Sequence, residues 1–205
     1  MPLPKNNPDK TALREHWEKQ QMDAARAASP LQEKVLLFML MDAMARARFS
    51  REKERERAIR FFETCSRWDG RWKVSLPQLK YHLEAMFSDA ERRKSRLWAE
   101  VDHRLARAGG RTGPEHDPGL SELEPFATLD ECGMLERTKY SSLFEAYRRE
   151  TLEGFREPES AAGARPEMSQ PYYRKTGEGQ HLVFPVEFLR ELCRDGILEL
   201  CGGPA

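Results

Sequence analysis

The chain has 205 residues, 39% hydrophobic and 33% charged, with 34 basic and 34 acidic side chains and no formal net charge. A zero balance excludes the overall basic field that draws proteins to nucleic acid or anionic membranes, so binding of that kind needs charges separated on the folded surface. The length fits one domain with at most a small appendage, and periodic clusters of Leu, Phe, Met and Trp exclude disorder throughout.

Met1 to Pro8 contains no apolar signal segment, so a cytoplasmic location is the expectation. Thr11 to Ala28 predicts a first helix with Leu13, Trp17 and Met22 on its apolar side. Ser29-Pro30-Leu31-Gln32 then joins an N-cap hydroxyl, a first-turn proline and a Gln at capping-box spacing, the signature of a helix start. The helix it opens, Pro30 to Arg48, is apolar around much of its girth, with Leu31, Val35, Phe38, Met39 and Asp42 on one face and Leu36, Leu37 and Leu40 widening it. Such a helix belongs at the centre of a bundle. Its longest apolar run, Leu36 to Met41, ends at Asp42 and falls far short of the roughly 18 residues of a membrane span.

A third helix is predicted over Arg51 to Arg67, burying Ile59, Phe62 and Phe61, and Trp68-Asp69-Gly70-Arg71-Trp72 reads as a turn with aromatic anchors. Ser75…Gln78, Ser88…Glu91 and Thr128…Glu131 repeat the capping-box spacing, which satisfies N–H groups that a first turn leaves unpaired. They predict a short helix on Leu76, Leu79, Leu83 and Met86, another over Asp89 to Arg107, and a third after Thr128. Gly109-Gly110, Gly113-Pro114 and Asp117-Pro118-Gly119 keep the intervening chain irregular. Glu115 to Glu136 has seven acidic residues and neither Lys nor Arg, the composition of a solvated connection. Thr138 to Phe155 predicts a longer helix with Leu143, Phe144, Tyr147, Leu152 and Phe155 inward. Glu157 to Gly179 reads as a loop, His181 to Phe184 as a short extended segment, and Pro185 to Arg194 as a last helix.

The predicted fold is therefore mainly α, a helical bundle of about six to eight helices with a small irregular or short-strand C-terminal element. It divides into an N-terminal arm or helix over 1–28, a bundle core over 29–156, and a loop plus C-terminal helix over 157–205 packed on the same domain.

Motifs for the commoner chemistries are absent. No phosphate loop, dinucleotide turn or nucleophile elbow occurs, and no cofactor is expected. Cys65, Cys132, Cys193 and Cys201 form no C-x-x-C pair and sit at no zinc spacing from a histidine. They read as small core residues. Glu100-Val-Asp-His103 and Glu178-Gly-Gln-His181 have E-x-x-H spacing, but a di-iron bundle needs two helical copies and two further helical glutamates. No metal is expected. Two basic clusters could hold phosphates: Arg46 to Arg60, with seven cations against three Glu, and Arg92 to Arg107, where Arg92, Arg93, Lys94, Arg96, Arg104 and Arg107 face Glu91, Glu100 and Asp102. Trp68, Trp72 or Tyr172-Tyr173 could stack bases beside them. Interleaved Arg and Glu at helical spacing more often pair with each other on a solvated face.

The segment Tyr147-Arg148-Arg149-Glu150-Thr151-Leu152-Glu153-Gly154-Phe155-Arg156 resembles the signature helix of HEPN proteins, small helical bundles of toxin–antitoxin, CRISPR and defence systems. The wider order is similar to a group of uncharacterised bacterial HEPN-like proteins: Asp42 in an apolar helix, Val74 to Leu79, Arg148 to Phe155, Pro171 to Tyr173, then Phe184-Pro185. Active HEPN members carry an R-x(4–6)-H motif, and dimerisation brings two copies together for metal-independent RNA cleavage. The resemblance makes Arg148 the motif arginine, and Glu153 stands where the histidine would be. A carboxylate cannot replace imidazole as a proton carrier near neutral pH, and its charge repels a phosphodiester. The literal R-x(6)-H is Arg96 to His103, seven residues apart on one helical face, with apolar Leu97 after the arginine. The resemblance thus implies a non-catalytic binding or regulatory protein, with RNA, a protein partner or a second copy of the chain as partner. Arg92, Arg93, Arg148, Arg149 and Arg156 are the candidate RNA contacts. The alternatives are a metal-independent ribonuclease and a protein–protein interaction module.

Overall fold

The computed structural model describes residues 10–109, 113–155, 168–176 and 179–202. The helices are α1 (Lys10–Ala24), α2 (Pro30–Arg48), α3 (Glu54–Cys65), α4 (Leu76–Met86), α5 (Asp89–Arg92), α6 (Arg96–Arg107), α7 (Leu120–Leu123), α8 (Leu129–Thr138), α9 (Tyr140–Gly154) and α10 (Val186–Cys201). Between α9 and α10, β1 (Tyr172–Thr176) and β2 (Gly179–Val183) form an antiparallel pair. The fold is mainly α with a small strand element. Among the described residues eight α-helices have ten residues or more, and α5 and α7 are single turns.

The four predicted helix starts form, but the longer side chain closes the box only at Ser88 and Thr128; at Ser75 the Gln78 Oε1 has no hydrogen-bond partner among the described residues. Ser29 Oγ accepts the Gln32 N–H at 3.2 Å, and α2 runs over the span expected of it. Ser75 Oγ accepts the Gln78 N–H at 3.3 Å. The Glu91 and Glu131 carboxylates accept the N–H groups of Ser88 and Thr128, each at 2.8 Å.

Several predicted boundaries differ: the first helix ends at Ala24 rather than Ala28, and the third spans Glu54–Cys65 rather than Arg51 to Arg67. The helix expected over Asp89 to Arg107 is two, because Ser95 acts as a second N-cap: its Oγ accepts the Trp98 N–H at 2.9 Å. The last helix does not stop near Arg194 but continues through Gly196 to Cys201. Gly196 is there for space, since a Cβ at that position would lie 2.5 Å from Phe61 Cζ. Its missing side chain lets α10 close on α3. Finally, β1 lies inside the stretch expected to be loop; it pairs Tyr172 with Val183 and Tyr173 with Leu182.

Two apolar cores result. The first joins α1, α2, α3, α9, the β-pair and α10 around Phe38, Phe62, Phe144, Phe184 and Leu189. Phe62 stacks on Phe144 at 4.6 Å and Phe184 meets Phe144 edge-on at 5.3 Å. Each such fully buried ring contributes about 1.5–3 kcal/mol by transfer alone. The second, smaller core gathers Leu76, Leu79 and Leu83 of α4, Leu97 and Val101 of α6, Leu123, and Leu135 of α8. Several side chains expected inward are not: Met22, Met39, Met86 and Phe155 are exposed, and Ile59 is only half-buried. On α2 the buried positions are Glu33, Lys34, Leu37, Phe38, Leu40, Met41, Met44 and Ala45, so the inward face is rotated from the one expected.

Residues 73–75 stitch the cores together. The Val74 N–H donates to Pro118 O, Ser75 N–H to Thr138 O and Tyr140 N–H to Lys73 O, each at 2.9 Å. This seam fixes the connection before α7 and the start of α9 against the N-terminus of α4.

Candidate functional site

Arg148 sits on the inward face of α9 and is 3% exposed. Its Nη1 donates to Asp42 Oδ2 at 2.7 Å and its Nη2 to Glu54 Oε1 at 3.2 Å, with Glu145 Oε1 at 3.8 Å. Arg55 approaches the other Glu145 oxygen at 4.0 Å. Three carboxylates therefore surround one buried guanidinium, with a second arginine at their edge. Burial pushes the Asp42 carboxyl above its ordinary value, although Arg148 pulls the other way. A phosphodiester reaching Arg148 would have to displace these carboxylates and face their charge.

α2, α3, α8 and the turn at Asp69–Trp72 pack against α9, and none of these four contains a histidine. Glu153 and Arg149 are exposed on α9. Arg156 lies outside the described residues.

A second cluster occupies the seam between the cores. Asp117 is 6% exposed, and its Oδ2 accepts both the Tyr140 and the Tyr173 hydroxyls. Oδ1 accepts the Leu76 N–H at 3.2 Å. Tyr173 Oη also lies 2.7 Å from Ser75 Oγ. One hydroxyl has one proton, so Ser75 donates to Tyr173 while Tyr173 donates to Asp117. Desolvation pushes the Asp117 carboxyl up to about 6, against the hydroxyl and N–H donors and Lys73, which favour its anion. Burial and the neighbouring carboxylate push both tyrosines far above their ordinary range. They stay protonated donors at any working pH.

Four elements meet here: the 113–119 connection, the start of α4, the start of α9 and β1. Asp117 was not among the candidates from sequence. Its Asp-Pro-Gly setting reads as a turn, and nothing local says that two tyrosines 23 and 56 residues away will close on it.

Beside the seam opens a cleft of about 790 Å³, with Trp68, Lys73, Tyr172, Tyr173, Arg174 and Lys175 in its walls. Trp68 is not free to stack a base. Its ring lies parallel to Tyr140 at 5.3 Å, edge-on to Phe188 at 5.5 Å, and so close to Gly70 that a Cβ there would overlap it at 2.4 Å. Trp72 is exposed but carries the cations of Arg71 and Lys139 at 5.6 and 5.3 Å from its ring.

The remaining candidates lie on α5 and α6. Arg92 pairs with Asp89 and covers the Trp98 ring at 5.3 Å; Arg104 pairs with Glu100 and Glu122. Arg93, Lys94, Arg96, His103 and Arg107 are exposed. Among the described residues, none of the four cations has a carboxylate in ion-pair range and His103 has no hydrogen-bond partner. Arg96, His103 and Arg107 recur at seven- and four-residue spacing, so they form one row along α6. In the 46–60 cluster Arg48, Arg55 and Arg60 are taken up by Glu199, Glu145 and Glu52, while Arg46, Arg51 and Lys53 are exposed and, among the described residues, have no carboxylate in ion-pair range.

No group of three or more His, Cys, Asp or Glu side chains placed to hold a metal ion occurs among the described residues. Glu100 is bound to Arg104, at 2.6 Å, and Glu178 lies outside the described residues. Cys65, Cys193 and Cys201 are buried free thiols and Cys132 is half-buried; burial pushes Cys65 up to about 12. Among the described residues no helix is long and apolar enough to cross a membrane. Comparison with protein-family models, curated proteins and solved structures gives no match.

Proposed function

We propose that the chain is a non-catalytic, HEPN-like binding or regulatory protein that meets RNA through the cationic row on α5 and α6. The observation that carries the non-catalytic part is the closure of Arg148 by Asp42, Glu54 and Glu145. A catalytic arginine must reach the phosphate whose charge it stabilises, and this one is spent on holding the protein's own carboxylates. The RNA part rests on the exposed row that Arg96, His103 and Arg107 make along α6, next in sequence to Arg93 and Lys94. Among the described residues Arg93, Lys94, Arg96 and Arg107 have no carboxylate in ion-pair range, Arg96 lying 5.8 Å from the centre of the Phe126 ring, although the chain as a whole is neutral. Exposed, uncompensated cations in a row are what a phosphate backbone requires.

A second reading keeps one observation of its own. Arg96 and His103 share the exposed face of α6, so a metal-independent ribonuclease could be built there rather than at Arg148. One experiment separates the two. Labelled single-stranded RNA is incubated with the wild-type protein, Arg148→Ala and His103→Ala in excess EDTA, and both binding and cleavage are followed. Salt-sensitive binding without turnover is the expected result. EDTA-resistant cleavage lost in His103→Ala would replace the proposal with the second reading, and no binding at low salt would remove RNA as the partner.

A further inference from the structure

The cleft beside the seam is assigned no role by the reading above, and its chemistry is distinct from that of α6. Its cations are Lys73, Arg174 and Lys175, and its acids are Asp69 and Glu115. Lys73 Nζ donates to Pro114 O at 2.8 Å and to Glu115 O at 3.2 Å, which leaves one of its three protons to offer. Arg174 Nη1 is buried and, among the described residues, has no hydrogen-bond partner. A buried cationic donor without an acceptor is costly, and native proteins supply one from a water, an ion or a ligand. A guanidinium suits a phosphate best, since its fork can engage two oxygens at once.

The rest of the cleft argues for more than inorganic phosphate. The volume of about 790 Å³ lies inside the range of small-molecule sites. Tyr172 and the rim of the packed Trp68 provide apolar wall, and Gln170 provides an amide. Behind this wall Tyr173 is fixed by Asp117 and Ser75, so one side of the cleft is preorganised by the seam.

We infer that the cleft binds a phosphate monoester with a flat organic body, of mononucleotide size, with Arg174, Lys175 and the free proton of Lys73 holding the phosphate. The site does not depend on the RNA reading, because it shares no residue with α6.

Adenosine 5′-monophosphate, adenosine and inorganic phosphate serve as probes, read by thermal shift and by intrinsic tryptophan fluorescence on the full chain. The monophosphate is expected to raise Tm and to bind at least tenfold more tightly than either fragment. Arg174→Gln and Lys175→Gln should each weaken it at least tenfold without lowering the Tm of the free protein, as neither cation has a carboxylate partner among the described residues. Arg96→Ala should leave it unchanged, which separates the cleft from the α6 row. Adenosine binding as well as its monophosphate, phosphate alone binding as well, or full affinity in both cleft variants would each overturn the assignment.

Discussion

Arg148 and Asp117 both place an ionisable group almost out of reach of water, at 3% and 6% exposure, yet they are compensated by different chemistry. Arg148 is met by full charges, from Asp42, Glu54 and Glu145. Asp117 is met by neutral donors, two phenols and one backbone N–H. An arginine cannot discharge itself by releasing a proton, so its cage has to carry the opposite sign permanently. A carboxyl can take up a proton, and Asp117 has been moved to about 6, within reach of a mildly acidic medium. The first site is a fixed clamp between α2, α3 and α9, whereas the second is a seam whose charge depends on conditions.

The comparison is broken most severely at the clamp. Arg148→Ala leaves the half-buried Asp42 and the buried Glu145 with only Arg46 and Arg55 as nearby counter-charges. Removing one partner of a buried pair costs about 3–5 kcal/mol, and the midpoint of chemical denaturation should fall accordingly. A loss under about 1 kcal/mol would show that the cage is no more than a surface pair. Because of this cost, the RNA assay on Arg148→Ala has to be run well below its melting temperature.

Asp117→Ala comes next. It removes the acceptor of Tyr140, Tyr173 and the Leu76 N–H together. Each buried donor left alone costs about 1–3 kcal/mol, offset in part by escape from burying a carboxylate, so a net loss of about 2–4 kcal/mol is expected. Asp117→Asn retains an acceptor and should cost less. If Ala were no worse than Asn, the hydroxyls would have found other partners and the seam would not depend on the carboxyl.

The pH profile sharpens the same contrast. Asp117 has a folded-state value of about 6 against an ordinary 3.8, so between these pH values the folded protein binds the proton more tightly. Its contribution is fully present below about pH 4 and is lost as pH rises through 6, by at most about 3 kcal/mol. Asp42 and Asp195 are also raised by burial and act in the same direction. The informative quantity is therefore the difference in unfolding free energy between wild type and Asp117→Asn from pH 4 to 7. It should slope in the stated sense, and a flat difference would mean that Asp117 titrates like an exposed carboxyl.

How far each site was legible in the sequence follows from the range of its interactions. Helix starts are written in four adjacent residues, so Ser29, Ser75, Ser88 and Thr128 could be read directly. The second N-cap at Ser95 went unread because the amphipathic pattern of 89–107 runs across it. β1 went unread because only its pairing with β2 makes Tyr172 to Thr176 a strand rather than a loop. Arg148 was visible as a candidate, and Asp42 as an acid embedded in an apolar helix, but their meeting spans 106 positions. Asp117 had no such mark, and its partners lie on α9 and β1. Local chemistry was readable, and chemistry made by the fold was not.

The smallest effect on stability is expected on α6, and it tests function rather than fold. Arg96 and Arg107 project from the exposed side of a helix that buries Leu97 and Val101 on the other. The double variant Arg96→Ala/Arg107→Ala should leave the melting temperature of the protein unchanged. If these two cations each neutralise one phosphate of single-stranded RNA, the slope of log K against log salt should become shallower by about 0.7 for each, or about 1.4 in all. An unaltered salt slope in the α6 variant, with binding intact, would move the RNA surface away from α6 and leave the row as ordinary solvated charge.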